Sequence, residues 1–424
     1  MSTTLSVIIL LTINLGLVWL LMAAPLGRRT LRLHRKFEAE PMRVWSAVFP
    51  LGPHADWHHA VLSSERIGSG RVRQAFDHLD RRGQPIERTL EVKDVSAHAG
   101  TRMGFMARVI DDSALDASFW RHFQDRRSVS AAAAGGSLLT VEQSDRYRGI
   151  AFLLYRYFAL RREIGALEQW LNQGRSEPNG LFERPVVQAS LAVLSTLLLW
   201  PFFGLDVYGL MLSSMLTAVI VLHEFGHMAA YRAFGHRRVR MIFVPLLGGM
   251  AIGGRPYNST YEVAFCALMG AGVSALLVPL VVMIERLLAQ SSGAAAGFAN
   301  PVLVFLVILG AFNLLNLLPM QRFDGGQVLR QVFSSRRTLA MASFGVALAV
   351  LGVGWRIGLP TPALIAGLAV FTLLSMLGRG SSVRPRHALV PMTGSQRLVA
   401  GCGLYAAVLI HGHAIVYACD RLFG

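Results

Sequence analysis

Val221-Leu222-His223-Glu224-Phe225-Gly226-His227 is an H-E-x-x-H motif at the end of an apolar run, and its setting decides what kind of chain this is. Residues 211–220 upstream carry no charge, so the motif falls near the end of a helix apolar enough to cross a bilayer. On a helix, positions i and i+4 share a face, so His223 and His227 offer two imidazole nitrogens to one metal ion. Glu224 stands one residue on, placed to reach a water on that ion rather than the ion itself. A zinc hydrolase requires this set: two His ligands, a third ligand from elsewhere, an open position for water, and a base. In a soluble helix, chance alone would account for such a motif. At the centre of a bilayer each ionisable side chain costs roughly 2.5–3.5 kcal/mol on insertion scales, so three in one turn need a compensating partner.

Composition agrees with a membrane setting. Of 424 residues, 53% are hydrophobic and only 16% are charged, which describes an integral membrane protein rather than a soluble enzyme. The net charge of +16 is carried by arginine, since Lys36 and Lys93 are the only lysines. In a membrane protein such a balance reflects cationic cytoplasmic loops rather than a nucleic-acid partner. Cys266, Cys402 and Cys419 form no C-x-x-C pair, and suggest neither a disulfide framework nor a structural zinc site.

A second stretch, Asn313-Leu314-Leu315-Asn316-Leu317-Leu318-Pro319-Met320-Gln321-Arg322-Phe323-Asp324-Gly325-Gly326, closes another apolar segment. Together the two motifs resemble the site-2 protease family of intramembrane zinc metalloproteases. That family pairs H-E-x-x-H with a later N-x-x-P-x-P-x-x-D-G-like motif; Asn316, Pro319, Asp324 and Gly325 match it, with Gln321 where a second Pro is common. The resemblance covers roughly residues 186–380. It implies His223, His227 and Asp324 as ligands of one zinc ion and Glu224 as general base. One departure stands out. Where the family often has G-P-x-x-N, with the Asn positioning substrate or oxyanion, this chain has Gly270-Ala271-Gly272-Val273-Ser274. Ser274, a shorter donor, and Asn316 are the candidates for substrate positioning; amides such as Asn313 and Asn316 also serve as interhelical glue.

Working toward the N-terminus, residues 5–24 form an apolar stretch long enough to span a bilayer, followed directly by Arg28, Arg29, Arg32, Arg35 and Lys36. A cleaved signal peptide has the opposite charge order, so this reads as an uncleaved anchor with its N-terminus outside. From about Phe37 to Gln173 the composition becomes that of a soluble α+β domain. Pro41 opens a helix through Val48, which Pro50, Gly52 and Pro53 end. Alternation predicts strands over 71–78, 86–92 and 102–110, a turn at Arg81-Arg82-Gly83, and a hairpin from 128–132 and 138–143. An amphipathic helix over 151–171 closes the unit. This order, with Glu38-Ala39-Glu40-Pro41-Met42-Arg43-Val44-Trp45 and Asp56-Trp57, resembles the START-like (SRPBCC) helix-grip superfamily. The resemblance implies an apolar cavity between sheet and helix for a lipid or other hydrophobic ligand; a packed domain that only makes protein contacts remains open beside it. His58 and His59 belong to no metal-ligand set.

Downstream, apolar segments at 186–203, 207–231, 262–284, 301–318, 339–355, 363–377 and 398–418 bring the total to about eight spans. Alternating from residue 28 inside, the cytoplasmic side receives His236–Arg240, Arg330–Arg337 and Arg379–Arg397, and the outside chiefly Arg286 and Arg356. Both motifs then lie near the cytoplasmic ends of their helices. Residues 241–254, apolar, glycine-rich and too few to cross, read as a re-entrant hairpin beside the metal or as an interfacial loop. His411 and His413 do not share a helix face, which favours interhelical hydrogen bonds over a joint metal site.

The expected architecture is a polytopic α-helical membrane protein of about eight spans with an inserted soluble α+β helix-grip domain. Its parts are an N-terminal anchor (1–27), the START-like domain (28–173), a linker (174–185), the protease core (186–380), and a loop with a final helix (381–424). The expected activity is zinc-dependent cleavage of transmembrane protein substrates near the cytoplasmic face, gated by the soluble domain, in a bacterial inner membrane among membrane lipids. The alternative is a lipid-binding or scaffold membrane protein with a vestigial metal site.

Overall fold

The computed structural model describes residues 23–79, 84–96, 102–133, 135–175, 185–236, 239–244, 248–320, 323–377 and 388–424, with Gly16, Trp19, Leu20 and Arg386 besides. The chain divides into two compact units, residues 1–180 with 381–388, and residues 181–380 with 389–424. Most of the anchor over 5–24, the turn at Arg81–Gly83 and most of the linker lie outside the described residues.

In the first unit seven strands form one antiparallel sheet in the order β1-β7-β6-β5-β4-β3-β2. They are β1 Pro25–Phe37, β2 Val61–Gly68, β3 Arg71–Leu79, β4 Pro85–Ser96, β5 Met103–Asp112, β6 Gln124–Ala131 and β7 Ser137–Arg148. Helix α1 (Pro41–Val48) and the one-turn α2 (His54–Trp57) join β1 to β2, and α3 (Ala117–Trp120) precedes β6. Pro41 sits in the first turn of α1, where its missing N–H costs nothing, and the backbone turns extended at Phe49 ahead of Pro50. The long helix α4 (Ile150–Gln173) ends on Gly174 in the left-handed region at φ 71°.

On α4, Leu160, Ile164, Leu167 and Leu171 recur at helical spacing and form one stripe. They pack against Val129, Leu139, Val141 and Phe105 of the sheet and against Trp57, whose Nε1 donates to Ala47 O at 3.2 Å. This is the helix-grip arrangement of a START-like domain. Two of its strands, β1 and β2, are absent from the alternation reading. Edge strand β1 runs antiparallel to β7 along its whole length and carries the exposed Arg28 and Arg32 on one face and Arg35 on the other. Arg32 reaches Glu142 at 2.8 Å and Arg35 reaches Glu168 at 2.6 Å.

Among the described residues of the second unit, six helices are long and apolar enough to cross a membrane. They are α5 Pro185–Phe203, α6 Val207–Ala233, α7 Thr260–Gln290, α8 Ala299–Asn316 (with the 3-10 turn Gly293–Phe298 before it), α10 Arg336–Arg356 and α12 Gly394–Phe423. Helix α11 (Thr361–Leu377) has 17 residues, at the lower limit for a span, and α9 (Asp324–Val332) is a short amphipathic helix. The expectation of about eight spans is thus met by six.

The helix ends are capped by polar side chains: Asp206 accepts from Gly209 N at 2.7 Å, Ser259 from Glu262 N, and Thr393 and Gln396 form a capping box on α12. Large apolar side chains such as Leu276, Met341 and Trp355 stay 74% exposed, as befits helices that meet lipid. Many polar and ionisable side chains within the spans are buried, among them Ser213, Glu285, Asn313 and His411, whereas His413 stays exposed. His411 bonds Ala271 O across helices at 3.0 Å.

The glycine-rich segment after α6 is a two-stranded antiparallel ribbon, β8 Arg240–Val244 and β9 Gly248–Ile252, with its turn residues Pro245–Leu247 outside the described set. A buried cluster fixes its exit into α7. Glu262 Oε1 accepts from His236 Nε2 at 2.7 Å and Arg255 Nη2 at 3.0 Å, and Oε2 accepts from Asn258 N at 2.7 Å.

Candidate metal centre

Helix α6 is apolar up to His223 and brings His223, Glu224 and His227 to its buried side, at 3%, 7% and an intermediate exposure. Helical spacing puts the two imidazole rings together, with centroids 4.7 Å apart. One ligand atom of each of His223, Glu224 and His227 lies within 4.8 Å of the others. The turn after α8 delivers Asp324, the first residue of α9, to the same place. Its Oδ2 stands 3.1 Å from His223 Nε2 and 3.4 Å from His227 Nε2.

The second ring nitrogens decide the tautomers. His227 Nδ1 lies 2.7 Å from the carbonyl oxygen of Cys266, which can only accept, so Nδ1 carries the proton. His223 Nδ1 lies 2.8 Å from Asn313 Oδ1, and the Asn313 amide is oriented because its Nδ2 donates to Leu309 O at 2.8 Å. Again Nδ1 is the donor. In the neutral rings, lone pairs therefore remain at both Nε2 atoms, which face each other at 3.0 Å. Asp324 Oδ2 is buried and receives no hydrogen bond. Three lone-pair atoms converge with no donor between them, which is repulsive unless a cation sits among them.

The residues fit zinc. Two ligands held about 2.0–2.1 Å from a tetrahedral ion stand ~3.3 Å apart, close to the 3.0, 3.1 and 3.4 Å separations found here. Two nitrogens and a carboxylate oxygen leave the fourth position open, the pattern of a catalytic rather than a structural site. Each His also donates its outer N–H to an oxygen, as metal-ligating histidines do.

Two glycines make room for the site. An added Cβ on Gly270 of α7 would lie 2.5 Å from His227 Nε2 and 2.7 Å from His223 Cε1. On Gly249 of β9 it would collide with Cγ of Glu224. The close approach lets the ribbon hold the carboxylate, whose Oε2 accepts from Ala251 N at 2.7 Å.

The structure thus brings His223, Glu224, His227 and Asp324 together. It does not bring Asn316 or Ser274 to them: Asn316 Nδ2 donates to Phe312 O at 3.0 Å and Ser274 Oγ to Gly270 O at 3.1 Å, each within its own helix. Asn313, Cys266 O, Ala251 N–H and Gly270 take part without having been singled out. Asn313 did stand in the motif that named Asn316, one helical turn away, but spacing alone does not choose between them.

No family model and no curated protein matches this chain. Several solved structures each match about a third of this chain. Protein MLL2253 from Mesorhizobium loti is 17% identical over 34% of this chain and 98% of its own, with a TM-score of 0.26. A START superfamily protein from Mycobacterium smegmatis is 14% identical over 35% and 98%, with a TM-score of 0.25. Ginseng major latex-like protein 151 from Panax ginseng is 11% identical over 34% and 98%, with a TM-score of 0.24. Scores this low carry no argument of their own, and the START-like reading of the first unit rests on its strand order and its long closing helix.

Proposed function

We propose that the chain is an intramembrane zinc metalloendopeptidase of the site-2 protease kind. The observation that supports this most is the convergence of His223 Nε2, His227 Nε2 and Asp324 Oδ2, with their outer hydrogen bonds made elsewhere and a buried carboxylate beside them. His223, His227 and Asp324 would hold the ion. Zinc supplies Lewis acidity there, making water a nucleophile near neutral pH and polarising a carbonyl. Glu224 takes the proton from the attacking water and returns it to the leaving amine. The Ala251 N–H keeps the Glu224 carboxylate oriented while it does so. A transmembrane substrate must unwind locally first, because helical carbonyls are already bonded and shielded.

The membrane arrangement proposed with this activity has eight spans, counting α11 and the apolar stretch over 5–24, in a bacterial inner membrane with the site toward the cytoplasm. The decisive experiment compares purified wild type with Glu224→Gln and His223→Ala. About one zinc per chain is expected in wild type and in Glu224→Gln, and little in His223→Ala. Cleavage of a transmembrane substrate is expected only in wild type. Proteolysis retained by Glu224→Gln would sink the mechanism, and wild type without zinc would favour the lipid-binding or scaffold alternative.

A further inference from the structure

The inner face of the START-like sheet changes character along its length. On β7 the alternation that buries Leu139 and Val141 against α4 continues through Gln143, Asp145 and Tyr147. Opposite them, the first turns of α4 carry Phe152 and Arg156, and β4 contributes Arg88. The closing end of the domain is therefore an apolar core, and the other end gathers aromatic rings and guanidinium groups.

The two cations at that end differ. Arg88 is matched by Asp112 at 3.0 Å and lies over the rings of Phe76 and Trp120, 4.4 and 4.3 Å from their centroids. Arg156 lies over Phe123 and Phe152 at 5.1 and 5.7 Å, but its ion pair with Asp145 is stretched to 3.9 Å, beyond hydrogen-bonding reach. Burial holds Arg88 below its ordinary range despite Asp112, and the charge of Arg156 adds to that effect, so the two guanidiniums repel. Burial also raises the Asp145 carboxyl, which weakens it as a partner for Arg156.

Two donors at the same end lack a partner among the described residues. They are Nε1 of Trp120, 7% exposed, and the hydroxyl of Tyr147, 1% exposed. A buried donor left unsatisfied costs about 1–3 kcal/mol. The pair is linked through the rings that sandwich Arg156: Trp120 meets Phe123 at 5.5 Å and Tyr147 meets Phe152 at 5.6 Å.

We propose that this end of the domain opens to bind an organic acid with an aromatic body. Its carboxylate takes the donors of Arg156, the Trp120 indole and the Tyr147 hydroxyl, and its body lies against Phe123 and Phe152. The three groups all donate, so a neutral alcohol or a cation answers them less well than an oxyanion. Phe123 and Phe152 are only half-buried, so part of each ring faces outward. The inference stands apart from the metal centre.

The test uses the full chain in nanodiscs of zwitterionic lipid, with empty nanodiscs as blank, and follows binding calorimetrically. The probe is 2-naphthoate, against the neutral 2-naphthylmethanol of the same shape and against inorganic phosphate. Naphthoate should bind about tenfold or more tighter than the alcohol, the worth of one charge-assisted hydrogen bond. Arg156→Gln should erase that preference and Arg156→Lys should keep part of it. Tyr147→Phe should weaken naphthoate severalfold while leaving the melting temperature of the unliganded protein unchanged or higher, because the deleted hydroxyl has no partner to lose and its burial unpaired is a cost. Equal binding of acid and alcohol, no measurable binding of naphthoate, or phosphate binding as tightly as naphthoate would overturn the proposal. Should Arg156→Gln fail to fold, Tyr147→Phe decides: full naphthoate affinity in that variant would equally overturn it.

Discussion

His223 is constrained at both ring nitrogens, and the outer constraint is the one a motif does not display. Asn313 is fully buried, keeps its amide oriented through Leu309 O, and presents Oδ1 to His223 Nδ1 at 2.8 Å. Removing such an outer partner typically costs 10- to 100-fold in metal affinity, so Asn313→Ala should lose zinc to a chelator at about that factor lower concentration. Asn316→Ala, which loses only a bond within its own helix, should hold zinc as wild type does; competition titration with a chelator separates the two. Gly270→Ala is the steric counterpart. A methyl group 2.5 Å from His227 Nε2 must displace a ligand, so zinc content should fall sharply in protein that still folds. At this scale the gathering of His223, Glu224, His227 and Asp324 was legible, because metal and proton chemistry demand particular residue types at particular spacings. The residues that orient them were not. A backbone carbonyl and a backbone N–H leave no signature in a sequence, and Gly270 and Asn313, though visible in the quoted stretches, do not show there which side chain they face.

Elements were legible where an apolar pattern dominated and obscure where charge masked it. Helices α1 and α4 and strands β3 to β7 stood out by Pro placement or by alternation. Strand β1 did not, because its cations read as the flank of the preceding apolar stretch, whereas in the sheet they guard an edge against stray pairing. Strand β2, at the other edge, hides for a related reason: apart from Val61 it is mostly exposed and polar, so no buried face imposes a period. The one-turn helix α2 carries a testable consequence. Burial, aided by the nearby charge of Arg127, brings His54 down from 6.5 to about 4. The unfolded chain then binds the extra proton between those values, so the stability this residue contributes is complete above pH 6.5 and is lost as pH falls toward about 4. The upper bound is about 3 kcal/mol. Melting of the START-like unit, followed by hydrogen exchange of the α2 segment in the full chain, should move to lower temperature across that window. His54→Gln should flatten part of the slope; His58, also lowered by burial, should retain the remainder.

At the scale of the whole molecule, the division into a soluble and a membrane part was written in composition, and the span count was the fragile step, since it sums many marginal decisions. Charge asymmetry around the helices gives that topology a test. In a background with Cys402 and Cys419 replaced by serine, Ser63→Cys on exposed β2 should resist an impermeant thiol reagent applied from outside, and Ser292→Cys after α7 should react. The reverse pattern would put the metal centre on the other face. The last prediction concerns the proposed gating, and the sheet determines how it must be tested. A cut at residue 37 would strip β1, whose backbone pairs with β7 from Pro25 to Phe37, and leave a strand without its neighbour. The separable piece is Pro25–Gln173, bounded by the start of β1 and by the left-handed Gly174 that ends α4. None of the groups that would hold the metal lies inside it, so the excised protein should retain about one zinc per chain. If the soluble unit restricts access, the excised protein should cleave model transmembrane substrates faster or in greater variety than the full chain. Unchanged rate and range in a zinc-loaded deletion would reject gating and leave the domain a recruitment module, with the protease reading itself intact.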